Sequence, residues 1–508
     1  MRFVLSILVL SLIPAVAAAQ LGPIPGEERF AGIAGDEQNT AGAGLGYAKI
    51  SEDHFLQLTI RTGLNLGKIG IGFQIPLNLR VIDNDPENND DYGGIIRKED
   101  WDEPSEYLKI IRYVRYGHKH SRDLLFVRVG ELAASIGHGT IMDRYMNNID
   151  VNTFRVGSQL DVYTNYGGIE TVVSDYGSLL GGTAASKIVG GRAYIKPYGL
   201  VDPEGALNIF KVGVSVVTDV NAPREIAMEP AEKDGTPLYK LPNEDACDPA
   251  GGDPDCQPYD VPVIDGKGNL EVAKDGSFTV WGLDAEVEAV NTSVIKITPY
   301  TDLNFMQDAG WGWHLGTLVT LRMPIGFELT VPIRLEYRRF KSNYKPAYFS
   351  TAYEVERFAY RDPEQGNAMV GPKGEFFKNK PGGEGLDGVY ADLALDFANI
   401  FQIGAIYEGY KGAPPNLAAF LALPALQVVQ FKAYYTKTGV DDLDDFFTLD
   451  NRSLLIAQAR YQVITFVYLV GRYTRRWVLD SEDPTSKTYG TFQSTDDYQV
   501  GIEASFAF

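Results

Sequence analysis

Cysteine is nearly absent: two in 508 residues exclude a disulfide-dense scaffold and a cysteine-based zinc cluster. Histidine is also scarce, at His54, His118, His120, His138 and His314. Basic side chains are in deficit, 46 against 67 acids, for a formal charge of −21. That sign excludes a nucleic-acid binder, whose phosphate contacts need a basic surface. Beyond the first 19 residues no run approaches about 18 consecutive apolar residues, so no membrane-spanning helix is expected there. No Gly-x-Ser-x-Gly elbow is present, and His138 with Asp143 is too little for a catalytic triad, so no enzyme is expected. What is present is 44% hydrophobic and 12% aromatic residues, with 53 Gly, 29 Tyr and 25 Phe, which excludes disorder.

Arg2, the apolar run Phe3 to Val16 and the small residues Ala17-Ala18-Ala19 form a secretory signal with an expected cut before Gln20. Residues 1–19 are therefore read as signal peptide, 20–44 as a short periplasmic segment and 45–508 as one barrel domain. An exported chain without spanning helices crosses lipid only as a closed β-barrel, because every backbone polar group must pair within the fold.

The periodicity is two. Gly67, Ile69, Ile71, Phe73, Ile75, Leu77, Leu79 and Val81 alternate with Lys68, Gly70, Gly72, Gln74, Pro76, Asn78 and Arg80. Phe327, Leu329, Val331, Ile333, Leu335 and Tyr337 alternate with Glu328, Thr330, Pro332, Arg334, Glu336 and Arg338. Leu283, Ala285 and Val287 alternate with Asp284, Glu286 and Glu288. Strands this long suit a tilted membrane barrel better than a soluble sandwich. Tyr498, Val500, Ile502, Ala504, Phe506 and Phe508 alternate with polar or small residues. A strand closing on Phe resembles the assembly signal of Gram-negative outer-membrane barrel proteins.

That resemblance, to porin-like barrels as a class, implies an all-β fold: a single antiparallel transmembrane barrel of about 16–18 strands with long acidic extracellular loops. It implies outer-membrane location, outer-membrane lipids and lipopolysaccharide as surroundings, the barrel-assembly machinery as partner, and a homo-oligomer as a compatible state. Nineteen candidate strands are found, an odd number in a class with even counts. Strand parity fails at Gly412–Pro424, where Ala413-Pro414-Pro415-Asn416 leads into a helix-like run. The negative charge concentrates in Asp83–Glu103, Asn221–Gly276, Thr438–Asn451 and Leu479–Asp497, all read as connections.

Alternation points Lys68, Arg80, Arg112, Arg128, Arg322, Arg334, Arg338 and Arg472 into the lumen, with Asp284, Glu286, Glu288, Glu328, Glu336, Asp392 and Asp396. Opposed rows of this kind either orient solutes by a transverse field or simply pair across the wall. Cys247 and Cys256 are expected to form a disulfide at a loop tip. Asp83, Asp85, Glu87, Asn89 and Asp91 space oxygen ligands as a calcium loop does, but Asn88 and Gly94 stand where an EF-hand needs Gly and Glu. Only a loose calcium site is compatible with them, and no other cofactor is expected. His118 and His120 read as a solvated turn. His138, between Gly137 and Gly139, reads as a bend or as a loop folded into the pore.

The expected function is passive diffusion of small polar solutes or ions, with a weak cation preference set by acidic loops. One alternative is a non-conducting surface protein whose loops serve adhesion, lipid or cation binding, with Asn221–Gly276 or Ser342–Leu386 filling the lumen. A second is a substrate-specific transporter with Leu417–Leu426 as an inner gate.

Overall fold

The computed structural model describes residues 39–507 except 51–52, 85–94, 98–99, 102–105, 120–122, 149–154, 178–186, 206, 234–235, 241–246, 248–254, 264–269, 325–327, 359–370, 384, 399, 424–427, 451 and 480–491. The expected signal peptide, Asp85, Glu87, Asp91, His120 and Phe508 lie outside the described residues.

Period-two sequences become strands whose apolar face points outward. The strands are β1 (Thr40–Ile50), β2 (Asp53–Leu66), β3 (Ile69–Ile82), β4 (Ile111–Tyr116), β5 (Leu125–Gly130), β6 (Gly157–Tyr163) and β7 (Gly167–Val173). They continue as β8 (Ile188–Ile195), β9 (Phe210–Ile226), β10 (Val272–Val287), β11 (Ile295–Met306), β12 (Trp311–Pro324), β13 (Glu328–Lys341) and β14 (Gly385–Phe397). The last are β15 (Phe401–Tyr410), β16 (Asn416–Leu423), β17 (Val429–Lys437), β18 (Ser453–Ile464), β19 (Val467–Leu479) and β20 (Phe492–Ala507). Each pairs antiparallel with its sequence neighbour, and β1 pairs with β20 from Thr40↔Ala507 to Lys49↔Tyr498, closing a barrel of 20 staves. Closure leaves no open edge, which a membrane crossing requires.

The count is 20, not 16–18: all nineteen candidate strands are wall strands, and β16 is the twentieth. Asn416–Leu423 lies in the stretch where parity failed, and it is a wall strand, paired to β15 and β17. It is therefore no inner gate. Its inward residues Ala418 and Phe420 are buried in an apolar cluster with Tyr390, Ile406 and Tyr434, and Ala422 is buried beside them in the strand. Both faces are apolar, so the strand carries no alternation to read.

Leu45, Leu58, Ile60, Phe73, Ile75, Val214, Leu283, Leu335, Leu393, Ile403, Val500 and Ile502 are exposed on the outside of the wall. A closed barrel with this apolar exterior is a porin-like transmembrane β-barrel. Connections at the end shared by the start of β1 and the end of β20 are short, the longest being 196–209. The long ones, including 83–110, 131–156, 227–271, 342–384 and 480–491, all leave the opposite end. The wall is uneven: β4 to β8 have only six to eight residues each, against 17 in β9. Above β9 and β10 the chain continues as a ribbon of short pairs, Met228–Pro230 with Asp260–Pro262 and Tyr239–Lys240 with Gln257–Pro258. The Cys247–Cys256 disulfide ties its tip, as expected.

Candidate functional site: a two-loop plug and a glycine-lined cavity

Two of the long connections turn inward. The first, 131–156, carries Gly137-His138-Gly139 with φ of +57° at Gly137 and +76° at Gly139, values that favour glycine. A Cβ on Gly139 would also crowd the Arg334 guanidinium at 2.7 Å and the Asp143 carboxylate at 2.8 Å, so glycine suits the fold-back there. This bend delivers His138 to the wall. Its Nδ1 lies 2.9 Å from Asp302 on β11 and its Nε2 2.7 Å from Glu286 on β10. The ring stacks on Tyr300 at 4.0 Å, and the Thr140 hydroxyl donates to Asp302 at 2.9 Å. Burial opposes charge on the imidazole, but Asp302 and Glu286 outweigh it and push the group up to about 9. Glu286 also holds Lys211 of β9, and Arg192 of β8 grips Asp284 through two bonds of 2.9 and 2.6 Å.

Further round the wall, Glu336 sits between Arg334 and Arg338, accepting from their Nε atoms at 2.7 and 2.6 Å. Both guanidinium groups stack near Tyr390, at 4.7 and 4.2 Å. The loop's Asp143 and Arg144 reach this group, the Arg144 Nη2 donating to Tyr390 at 3.3 Å.

The second loop, 342–384, clasps the first. Met142 and Phe349 form a parallel bridge, and the Phe349 and Ala347 amides donate to Ile141 and Thr140 carbonyls. Ile136, Met142 and Tyr145 of one loop pack with Tyr348, Phe349, Tyr353 and Phe377 of the other, against Val217, Phe278, Val280 and Met306 of the wall. Each such side chain contributes roughly 1.5–3 kcal/mol through burial. Lys373, fully buried, donates to the Tyr348 carbonyl at 2.9 Å and to Glu356 at 2.6 Å. Desolvation lowers the Lys373 ammonium from its ordinary range, and Glu356 works against that. Together the loops make an apolar plug rooted in ion pairs.

The opposite side of the lumen is built differently. The inward positions of β1 near mid-wall are Gly42, Gly44 and Gly46, and Gly46 faces Gly501 of β20 in register. A Cβ on Gly46 or Gly501 would meet the other strand's backbone at 2.9 or 2.8 Å, so both positions need glycine. The absent side chains leave a cavity of about 150 Å³ lined by Arg61, Arg112, Arg460 and Arg472, with Gln57, Gln74, Gln458 and Gln499. Its acids are Glu131 and Glu503. Glu503 is approached by Arg460 at 3.3 Å and by Arg61 at 4.0 Å, while the Arg472 Nε donates to Thr474 at 3.3 Å. Four guanidinium groups against two carboxylates leave the cavity net basic.

The lumen residues expected from alternation therefore separate into three groups, with Arg128 and Asp396 outside them. Arg112 and Arg472 line the cavity. Asp284, Glu286, Arg334, Glu336, Arg338 and Asp392 are buried in the network that roots the plug, and Arg128 is buried against Tyr113 and the Glu131 carbonyl. Asp396, farther along β14, is only half-buried. The rest sit at the rims. Lys68 is in the β2–β3 turn with Asp123 at 2.9 Å, so it is no lumen residue. Glu288 pairs with Lys296 at 2.7 Å, and Arg322 and Glu328 are exposed at the same end. Arg80 is at the opposite rim, between Asp53 and Asp83. Asp83 is thereby an ion-pair partner, and nothing among the described residues joins it to a calcium site. His118 accompanies Asp123 in the expected turn. Arg61, Arg192, Lys211, Asp302, Arg460 and Glu503 obey the same alternation and went unread; Gly42, Gly44 and Gly46 at every second position were the missed signal for the cavity.

No protein-family description matches the chain, and no curated protein matches it. Among solved structures it is similar to OccK11 (OpdR) of Pseudomonas aeruginosa, with 10% identity, a TM-score of 0.31, and 94% of this chain and 100% of that one covered. It is also similar to Wzi of Escherichia coli, an outer-membrane protein involved in group 1 capsule assembly and a carbohydrate-binding β-barrel. There the identity is 10%, the TM-score 0.33 and the coverage 93% and 85%. OccK2 (OpdF) of Pseudomonas aeruginosa, in complex with glucuronate, gives 8%, 0.30, 93% and 98%. Scores this low leave the functional reading to the geometry of this chain.

Proposed function

We propose that the protein is an outer-membrane channel whose conducting path is the off-axis, arginine-lined cavity beside the plug, passing small polar solutes or ions. The carrying observation is the glycine seam of β1 and β20, with four lumen arginines lining the same cavity. The plug fills the side of β8 to β13, so the path is narrow, and its walls favour anions. The acidic loops at the mouth favour cations instead, over about 10 Å at 0.1 M salt. The two fields oppose, and raising the salt screens the exposed one first.

The test is single-channel recording of refolded full-length protein under a potassium chloride gradient. Small ohmic steps are expected, with a reversal potential that moves toward chloride preference as total salt rises. Replacing Arg61 and Arg472 by Gln is expected to abolish that preference. Silence from folded, heat-modifiable protein would overturn the channel reading. It would favour a non-conducting surface protein, for which the two interlocked loops are the specific support.

A further inference from the structure

We infer that the β17–β18 connection is a membrane-interface anchor, a knob that lays apolar side chains into the outer leaflet beside the barrel. It contains α1 (Leu443–Phe447), capped by Asp442, whose side chain accepts from the Asp445 amide at 2.8 Å. The inference takes from the proposed function only that the barrel sits in a membrane.

The knob is braced from within. Lys437, fully buried, donates to the Asp445 carbonyl at 2.6 Å, its carboxylate at 2.8 Å and the Thr448 carbonyl at 2.9 Å. Arg452 donates to the Gly439 carbonyl at 2.6 Å and bridges Asp445 and Asp450. These bonds neutralise Asp445 and Asp450 and fix the helix without using its apolar side chains.

The bracing also sets where the knob leans. On β17 and β18 the inward residues are Tyr434 and Ile456, buried together, which puts the register neighbours Tyr435 and Leu455 on the outer face. Phe446 packs on Tyr435, ring centroids 5.0 Å apart, and the Tyr435 hydroxyl donates to the Phe446 carbonyl at 2.5 Å. Arg475, across from Leu455, donates to the Leu449 carbonyl at 3.5 Å. The knob is thus strapped to the outside of the wall, not over the lumen.

What it presents there is apolar. Leu443 is 73% exposed, Phe447 75% and Leu449 43%. On the outer face below the knob, two residues along β19 from Arg475 toward mid-wall, Tyr473 lies in register with Tyr498 of β20, whose ring centroid is 6.0 Å from that of Tyr47 on β1. Rings at that height form the aromatic girdle of a membrane barrel and mark the headgroup region. Side chains one step above the girdle, continuous with a lipid-facing wall, fit lipid as their occupant. The exposed Asp441, Asp442 and Asp444 stand on the same knob, so a surface rich in anionic phosphate must be screened for the insertion to hold.

The test labels single introduced cysteines with an environment-sensitive fluorophore, leaving the native disulfide intact. L443C and F447C report the knob, L335C the lipid-facing wall, and T236C the ribbon far from lipid. Protein is reconstituted in phosphatidylcholine vesicles with and without brominated lipid. Expected are quenching and blue-shifted emission at 443 and 447 comparable to 335, with neither at 236. Quenching at 335 without quenching at 443 and 447 overturns the anchor and leaves the barrel reading intact. Loss of quenching at 335 as well rejects the membrane reading itself.

Discussion

One lumen holds two kinds of interior. On the side of β8 to β13, bulky side chains from two loops meet bulky side chains from the wall, and charges are consumed in pairs. On the side of β1 and β18 to β20, glycines withdraw the wall and arginines outnumber their acids. The contrast shows that strand alternation determines which residues face inward, but not whether they meet water or protein. That depends on which loops fold back, and glycine decides it at both places: at Gly139 it lets a loop enter, and at Gly44 and Gly46 it keeps space clear.

The sharpest way to break the contrast is to release the plug. Asp302→Ala removes the acceptor shared by His138 and Thr140 and leaves the imidazolium with Glu286 alone. Stranding a buried charge outright costs about 3–5 kcal/mol; with Glu286 still in place the cost is below that range, and it falls on the loop, not on the barrel. Faster amide exchange over 136–146 and a larger conductance are expected together. Faster exchange with unchanged conductance would mean that the plug closes nothing.

The reverse change narrows the other side. A Cβ on Gly44 meets nothing closer than 3.6 Å, so Gly44→Phe is accommodated by the backbone and fills the cavity. Conductance is expected to fall steeply while heat modifiability stays intact. Unaltered conductance would place the conducting path elsewhere.

The smallest effect expected is that of pH. The folded His138 lies at about 9, above the ordinary imidazole value near 6.5. Its proton therefore stabilises the latch fully below about 6.5, and that contribution is lost as pH rises through 9. Conductance should rise between those limits in the native chain and be flat in His138→Gln. A rise of equal size in both proteins would assign it to another group.

Much of the wall was legible because lipid and lumen impose opposite demands on adjacent residues, as along Ile69 to Val81. Where the lumen itself is apolar, the demand is the same on both faces, and β16 vanished into what reads as a helix. The plug was less legible still. His138 stood out for its flanking glycines, yet nothing local announces Asp302 or Glu286, 164 and 148 residues away in sequence. Of the two stretches that could fill the lumen, Ser342–Leu386 enters it through Tyr348, Phe349, Tyr353 and Phe377. Asn221–Gly276 instead extends the wall upward as a disulfide-tied ribbon.

The short staves β4 to β8 carry a consequence for the lipid. Six to eight residues at about 3.3 Å each, tilted by about 40°, cover roughly 15–20 Å along the barrel axis, against an apolar band of about 25 Å in such barrels. Acyl chains beside that sector must shorten or tilt to meet it, whereas those beside β9 to β13 need not. The protein would then sit in the bilayer as a wedge, thinning it along one flank and biasing which lipids, and which neighbouring proteins, gather there.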